Sequence, residues 1–299
     1  MNLSKQKGHT MKKTLLMLIA ATAVTAAHAA QKPYRFYAMD TAFAAPFRND
    51  LPLTQGLDLI KRLGYDGVGW HDKAPAALAS DLKELESRQL RMFAIYCPAK
   101  WNDSGELTWG DHFPKLMEQL NGHCDILWLH IGGKGPDFAT LTPDTPFIVK
   151  LRGLADTAKA NNMKIAIYPH LGEWTAKFGD ALTVAEHVKH PNFGLSFNLC
   201  HALAIGEEDS ILALLEKAKP HLFTVTVSGA NAHATGDDRL WKQLIQPLGK
   251  GTYDVAALIR KLRDIGFDGP IGFQGYGIAL PSEQIVTETM EGWKKVRGE

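Results

Sequence analysis

The sequence predicts one α/β domain in which eight parallel strands alternate with eight helices and close into a (β/α)8 barrel, also called a TIM barrel. Short apolar runs rich in Ile, Val, Phe and Tyr are typical of strands buried on both faces. Between them lie amphipathic stretches in which Leu and Ala recur at helical spacing. Residues 30–299 are long enough for such a barrel, which typically takes about 250 residues.

The segment 1–29 is predicted to be a secretory signal peptide that is removed from the mature protein. The basic pair Lys12-Lys13 precedes an apolar run over 14–23, and Ala27-His28-Ala29 has the small residues of a cleavage site. Translation starts at residue 1 or residue 11. The apolar run is shorter than the ~20 residues of a membrane span, so a retained anchor is the less favoured alternative. We therefore expect an exported barrel over 30–299, periplasmic or secreted.

Charge and cysteine content exclude several classes of protein. A formal net charge of +1 provides no basic field for nucleic acid, and no second apolar span follows the leader. The three cysteines, Cys97, Cys124 and Cys200, lie in or beside apolar segments. We expect buried free thiols, with one internal disulfide as the alternative. The absence of a CxxC pair argues against a structural zinc site.

Each strand is followed by a helical segment. The predicted strands are Tyr34–Asp40, Gly67–His71, Arg91–Cys97, Ile126–Ile131, Lys164–His170, Phe193–Leu199, Leu222–Val227 and Pro270–Gln274. The predicted helices are Leu53–Leu63, Pro75–Arg88, Pro114–Leu120, Pro146–Ala160, Leu182–Val188, Ser210–Lys217, Asp254–Ile265 and Ser282–Val296. An open doubly wound sheet is the alternative, but no GxGxxG turn follows strand one, and the glycines at 132, 133 and 135 suit a tight turn after strand four.

Chemistry in barrels of this type lies at the carboxyl ends of the strands, and four strands end in or beside a histidine. These are His71, His130, His170 and His201. An imidazole serves as metal ligand or as general acid or base near neutral pH. One strand-end histidine is usually structural, but four converging on one rim predict that at least two belong to a functional site.

Other strand ends carry aromatic and amide side chains. Trp70, Trp174 and Tyr276 lie at or beyond strand ends and are candidate pocket walls, whereas Trp128 lies inside strand four and is expected to pack in the core. The remaining candidates for substrate contact are Tyr96, Asn198, Ser228 and Gln274.

Four runs of the second half resemble the xylose isomerase-like barrels, which include sugar (phosphate) isomerases and epimerases and the endonuclease IV-type repair enzymes. The runs are Ile165-Ala-Ile-Tyr-Pro-His170, Asn192-Phe-Gly-Leu-Ser-Phe-Asn198-Leu-Cys-His201, Phe223-Thr-Val-Thr-Val-Ser228 and Gly269-Pro-Ile-Gly-Phe-Gln274. The resemblance covers most of the mature chain. Its most specific part is Asn198-x-x-His201, which is similar to the family's Asp-x-x-His.

The resemblance implies one divalent cation held by Glu, Asp, His and Glu from strands five to eight. At these positions the chain offers His170, Asn198, Ser228 or Thr226, and Gln274, while His201 alone matches the family pattern. Since hard divalent ions favour carboxylate oxygen, a cation site with His170, Asn198 and Gln274 as ligands would be much weaker than the family's, or absent. A softer metal ion bound by His170 and a neighbouring histidine is the remaining alternative.

The expected function is therefore an exported carbohydrate enzyme of isomerase or epimerase type. It would abstract a proton beside a carbonyl of an unphosphorylated sugar or keto-sugar, with acid and base roles for His130, His170, His201 and Glu173. His71 and the aromatic and amide candidates above would contact the substrate. A keto-glycoside lyase acting by β-elimination is the enzymatic alternative, and a sugar-binding barrel with a degenerate site is the alternative of another class. A nucleic-acid repair enzyme is not expected.

Overall fold

The (β/α)8 barrel predicted from the sequence is confirmed. The structure, a computed structural model, describes residues 33–236 and 240–298. The predicted signal peptide lies outside the described residues. None of the helices in these two ranges has the length and hydrophobicity of a membrane span.

Eight parallel strands form the barrel wall. They are β1 (Phe36–Met39), β2 (Gly67–His71), β3 (Arg91–Trp101), β4 (Cys124–Gly132), β5 (Lys164–Ile167), β6 (Phe193–Asn198), β7 (Leu222–Val227) and β8 (Ile271–Phe273). Each strand pairs in parallel with the next one along the chain, and β8 pairs with β1 through Phe36 and Ile271. This last pairing closes the ring and excludes the open doubly wound sheet.

Eight principal helices surround the strands. They are α1 (Leu53–Leu63), α2 (Pro75–Ser87), α3 (Phe113–Leu120), α4 (Pro146–Ala160), α5 (Phe178–Val188), α6 (Ile211–Ala218), α7 (Val255–Asp264) and α8 (Ser282–Val296). Local chemistry sets several of their ends. Gly64 ends α1 in the left-handed conformation at φ 88°, and the Asp254 side chain caps α7 by accepting from the backbone of Ala257 at 2.8 Å.

Several elements differ from the sequence prediction, most clearly β3, β5 and two additional short helices. Strand β3 continues past Cys97 to Trp101 and pairs there with a short antiparallel strand, Leu107–Trp109, because both arms place buried apolar side chains under the hairpin. Strand β5 is shorter than predicted and ends at Ile167, because Pro169 has no backbone N–H to continue the ladder. Short additional helices, Leu199–Ala204 and Leu240–Leu244, follow β6 and β7.

Buried apolar residues form two layers. The larger layer lies between strands and helices, where Phe36 stacks on Trp293 of α8 with ring centroids 4.2 Å apart. The smaller layer fills the inside of the barrel and includes Tyr37, Phe93, Trp128 and Tyr168. Because side chains fill the barrel, the space for a ligand lies above this interior layer, at the carboxyl ends of the strands. The three cysteines are buried and unpaired, as expected.

Candidate functional site

A cavity of about 330 Å³ opens at the carboxyl ends of the strands. Its volume is at the lower end of the range typical of small-molecule sites. Twelve residues line it: Met39, Thr41, Phe47, His71, Tyr96, Tyr168, His170, His201, Trp241, Ile245, Gln274 and Tyr276. Six of these were predicted from the sequence, including three of the four histidines. Among the described residues, the lining contains neither lysine nor arginine.

One wall of the pocket carries a histidine held by a buried carboxylate. Asp40, which is fully buried after β1, accepts hydrogen bonds from the backbone N–H of His71 at 3.0 Å and from His71 Nδ1 at 2.7 Å. Since an ionised carboxylate only accepts, the proton of a neutral His71 lies on Nδ1 and its Nε2 carries a free lone pair. Asp40 therefore fixes His71 in the tautomer of a general base.

The facing wall carries two histidines whose ring centroids are 4.0 Å apart. His170 Nδ1 lies 2.9 Å from the carbonyl oxygen of Leu171 and donates to it, which leaves Nε2 of His170 as an acceptor. His201 Nδ1 accepts from the backbone N–H of Leu171 at 3.2 Å, so the proton of neutral His201 lies on Nε2. The two rings thus present opposite tautomers, one acceptor and one donor.

His201 is held in its neutral form. Its side chain is almost completely buried, and this desolvation, together with the charge of neighbouring His170, lowers the pKa of His201 well below its usual value. A neutral imidazole with Nε2–H is a hydrogen-bond donor over the whole neutral range. This suits contact with a sugar oxygen.

The floor of the pocket rests on a network of neutral polar side chains around the hydroxyl of Tyr168. Thr41, Tyr168 and Gln274 belong to the lining, whereas Asn198 is buried beneath it. Asn198 Nδ2 donates a hydrogen bond to this hydroxyl, and Gln274 Nε2 donates to it at 3.4 Å. Gln274 Oε1 in turn accepts from the hydroxyl of Thr41 at 2.8 Å and from the backbone N–H of Tyr276 at 3.1 Å. The two amides therefore point their N–H groups towards the centre of the floor.

Aromatic rings form the upper walls. Tyr96 packs beside His71 with ring centroids 5.0 Å apart, Phe47 lies 4.5 Å from the same imidazole, and Trp241 lies 5.2 Å from His201. Tyr276 is 53% exposed at the mouth, where its ring meets the edge of Phe47. Such rings stack on the apolar faces of sugar rings.

His130 and Glu173, two of the predicted catalytic residues, lie behind the wall rather than in the lining. The His130 ring stacks on Tyr96 at 4.3 Å between centroids, and Glu173 Oε1 lies 3.6 Å from His130 Nδ1. Burial, with smaller contributions from His170 and His71, lowers the pKa of His130 to about 4. His130 thus supports Tyr96 as a neutral ring.

Three further predicted residues lie away from the pocket. Trp70 is fully buried between strands and helices, where its Nε1 donates to Asp81 at 2.9 Å. Trp174 donates to the carbonyl of Pro136 at 3.0 Å and packs among other aromatic rings. Ser228 is buried and donates to the carbonyl of Leu244 at 2.8 Å. The structure corrects the prediction that these side chains line the pocket: each has a structural partner instead. Trp128 packs in the core, as expected.

Sequence reasoning missed several residues of the site. Asp40 was recognised as a strand end but not as a partner of His71. Thr41, Phe47 and Trp241 lie in loops or very short helices, which carry no periodic pattern. Tyr168 was included in an apolar run. Residues alternate between the two faces of a strand, so the position of Tyr168 two residues after the inward Ala166 was a usable signal.

The family model for the xylose isomerase-like TIM barrel matches residues 57–296. The chain belongs to the xylose isomerase-like TIM barrel family. No curated protein sequence matches it significantly.

Solved structures of this xylose isomerase-like fold resemble the chain over nearly its whole length. The IOLI protein with a bound zinc atom is 18% identical and covers 88% of this chain and 97% of its own, with a TM-score of 0.68. The probable 3-DHS dehydratase AsbF of Bacillus anthracis is 14% identical, with 87% and 98% covered and a TM-score of 0.66. The 3-keto-D-glucoside 4-epimerase YcjR of E. coli is 16% identical, with 89% and 99% covered and a TM-score of 0.63.

The residues of this xylose isomerase-like barrel do not fit the divalent cation that the family implies. A cation needs acceptor atoms, but Asn198 and Gln274 turn N–H groups towards the floor, and Tyr168, not His170, lies between them. No group of three or more His, Cys, Asp or Glu side chains within residues 33–236 and 240–298 could hold a metal ion. The candidate ligand set of His170, Asn198 and Gln274 is therefore not assembled as one site.

Proposed function

We propose that this chain is a sugar-modifying enzyme of isomerase or epimerase type that removes a proton from the carbon beside a carbonyl. The observation that carries the proposal is the pair of free imidazole Nε2 acceptors, one on His71 and one on His170, in a single pocket. A base with a pKa near the working pH is what abstraction of such a proton requires.

The two acceptors belong to opposite walls. His71 ends β2 and His170 follows β5, so in the eight-membered ring of strands they are separated by β3 and β4 on one side and by β6, β7, β8 and β1 on the other. A planar enolate between them would meet one base on each face. Removal of a proton by one imidazole, and delivery to the other face of a proton that the second imidazole has taken from solvent, inverts the carbon, which is epimerisation.

The lining favours a neutral, unphosphorylated substrate. Among the described residues it contains no cationic side chain that could pair with a phosphate, and its rings offer stacking surfaces. A predicted export signal agrees with this, since phosphorylated sugars are intracellular metabolites. The structural relatives named as a keto-glucoside epimerase and a dehydratase support a sugar-modifying enzyme in general.

A keto-glycoside lyase is the second candidate, and one observation favours it. His201 presents Nε2–H beside His170, so the pocket holds a donor next to an acceptor on the same wall. After the same first proton abstraction, such a donor would protonate a leaving oxygen and complete a β-elimination. A barrel that only binds sugar needs neither the proton acceptor on His170 nor the proton donor on His201.

Solvent exchange measured by NMR tests these functions together. The full chain is incubated in D₂O with a panel of unphosphorylated ketoses and 3-keto-glycosides, and the proton beside the carbonyl is followed. We expect loss of this signal and the appearance of an epimer; an unsaturated product would indicate the lyase. Binding by calorimetry without exchange of any panel member would refute enzymatic proton abstraction.

The test variant is His71→Gln, and its matched control is His112→Gln. His112 is also paired with a carboxylate, with Nε2 2.7 Å from Asp72, but it lies outside the pocket. His71→Gln should lose epimer formation, which needs both bases, whereas His112→Gln should keep it at the wild-type rate.

A further inference from the structure

We propose that the hydroxyl of Tyr168 donates a hydrogen bond to the carbonyl oxygen of the substrate and stabilises the negative charge that develops there. This inference rests on the proposed function, since it assigns the electrophilic group of the same reaction. In this proposal a neutral phenol stabilises the charge on the carbonyl oxygen, which a metal cation would otherwise do in a site of this kind.

The hydrogen bonds of the floor determine what the phenol can do. The Oε1 atom of Gln274 accepts from the backbone N–H of Tyr276, which fixes the direction of the amide, so Nε2 must donate to Tyr168. Asn198 Nδ2 also donates to the same phenol oxygen. Two N–H donors occupy the acceptor capacity of this oxygen, and the phenolic proton is left as a donor for a ligand.

A third polar side chain lies beside the phenol. The Thr226 hydroxyl lies 3.5 Å from the carbonyl of Phe197, towards which it donates, and it also interacts with Tyr168. Asn198, Thr226 and Gln274 come from β6, β7 and β8, so neighbouring strands surround the Tyr168 hydroxyl with neutral groups. Donors to the phenol oxygen strengthen its own hydrogen bond to a carbonyl by polarisation.

The phenol ring is held rigidly. Only 1% of Tyr168 is exposed, and the residue is part of the pocket lining. The edge of the ring meets Tyr96 at 5.0 Å and 88°, and Trp128 and His201 contact it from other sides. A donor that cannot move needs no reorganisation when charge develops, which is the condition for effective oxyanion stabilisation.

The phenol also stays protonated. Complete burial raises the pKa of Tyr168 well above its usual value, and the hydrogen bond from Gln274 offsets only part of this effect. The Tyr168 hydroxyl therefore keeps its proton, and can donate a hydrogen bond, throughout the neutral pH range.

The proton transfers involve the two histidines, the Tyr168 hydroxyl and solvent water. The C–H bond beside the carbonyl breaks, its proton goes to the free Nε2 of His71 or His170, and its electron pair forms the enolate whose charge lies on the carbonyl oxygen. The O–H bond of Tyr168 stays intact while its hydrogen bond to that oxygen strengthens. Return of the proton from the same imidazolium restores the starting sugar and the neutral protein. Epimerisation requires that the opposite histidine has taken up a proton from solvent on Nε2 and delivers it to the other face, after which the first imidazolium releases its proton to solvent.

The variant Tyr168→Phe removes the donor and keeps the ring. We expect the rate of exchange of the proton beside the carbonyl to fall by about 10²- to 10³-fold, the usual effect of losing one oxyanion donor, with little change in Kd. The control is Tyr37→Phe, which removes another fully buried phenol that hydrogen-bonds Thr224 at 3.0 Å deeper in the barrel, away from the lining. Tyr37→Phe should keep the wild-type rate.

Infrared spectroscopy of the wild-type protein covers the case in which Tyr168→Phe does not fold. The carbonyl stretch of a bound ¹³C-labelled keto-sugar should lie below its frequency in water, and in a folded Tyr168→Phe protein it should return towards the frequency in water. Wild-type exchange that persists unchanged in Tyr168→Phe, or a wild-type carbonyl band at or above the frequency in water, overturns this inference. If the wild-type protein binds the sugar without exchange, the proposed function is refuted instead. The carbonyl stretch of the bound sugar then still shows whether Tyr168 donates a hydrogen bond to the carbonyl oxygen.

Discussion

The variant Asp40→Asn tests whether His71 acts as a base through its tautomer. Asp40 is fully buried, and its two oxygens accept from the Nδ1 and the backbone N–H of His71. An asparagine of the same shape has only one oxygen, so one of these two donors must face an NH₂ group. The arrangement that relieves this conflict moves the imidazole proton to Nε2, which removes the lone pair from the pocket.

The size of the effect follows from the hydrogen bond that is lost. A hydrogen bond to a charged group contributes about 1.5–3 kcal/mol, which corresponds to a fall of about 10- to 150-fold in the rate of proton exchange. The assay is exchange of the proton beside the carbonyl in D₂O, with folding checked by near-UV circular dichroism.

The matched control is Asp72→Asn, which makes the same change in the pair of Asp72 with His112 outside the pocket. We expect it to keep the wild-type rate. Exchange at the wild-type rate in Asp40→Asn, or an equal loss in both variants, would refute the role assigned to the dyad.

Three further outcomes are expected. His170→Ala and His201→Ala should each abolish turnover or ligand binding without unfolding the barrel, which thermal melting checks. Wild-type turnover, and wild-type binding by calorimetry, in both variants would exclude this wall as part of the site. Burial holds the pKa of His130 at about 4 against 6.5 in the unfolded chain, so between these pH values only the unfolded chain binds the proton and the free energy of unfolding falls as the pH drops. In denaturant titrations His130→Gln should reduce this fall by about 2 kcal/mol after allowance for screening, whereas the exposed control His123→Gln should not; equal slopes would contradict the assignment. Because the floor presents N–H donors, chelator treatment should leave proton exchange unchanged, and a loss that Mn²⁺ restores would argue for a cation site after all.

Much of the barrel could be predicted because its elements follow simple periodicities. The strand Gly67–His71 and the helices Leu53–Leu63 and Pro146–Ala160 have the predicted bounds, since apolar patterning, Pro at the start of a helix and Gly after its end are local signals. The hairpin from Trp101 to Leu107 carries no such pattern. Its pairing depends on burial against neighbouring loops, which a local signal does not encode.

Which strand-end residues face the pocket can be predicted only from the alternation of side chains between the two faces of a strand. Trp70 and His71 are adjacent in β2, and alternation requires that one face the helices and the other the barrel mouth. The same rule distinguishes Tyr168 from Ile167 at the end of β5. The tautomers of His71 and His201 could not be predicted, because they depend on partners, Asp40 and Leu171, that are about thirty residues away along the chain.

The most direct test of proton abstraction by two opposed histidines compares the wild-type protein with the double variant His71→Gln/His170→Gln. Both proteins are incubated with a keto-sugar in D₂O, and deuterium beside the carbonyl is measured by NMR and mass spectrometry. The account predicts deuterium in the sugar with wild-type protein and only the uncatalysed rate with the double variant, while the Kd for the sugar remains measurable. Exchange that survives removal of both imidazoles would contradict the account.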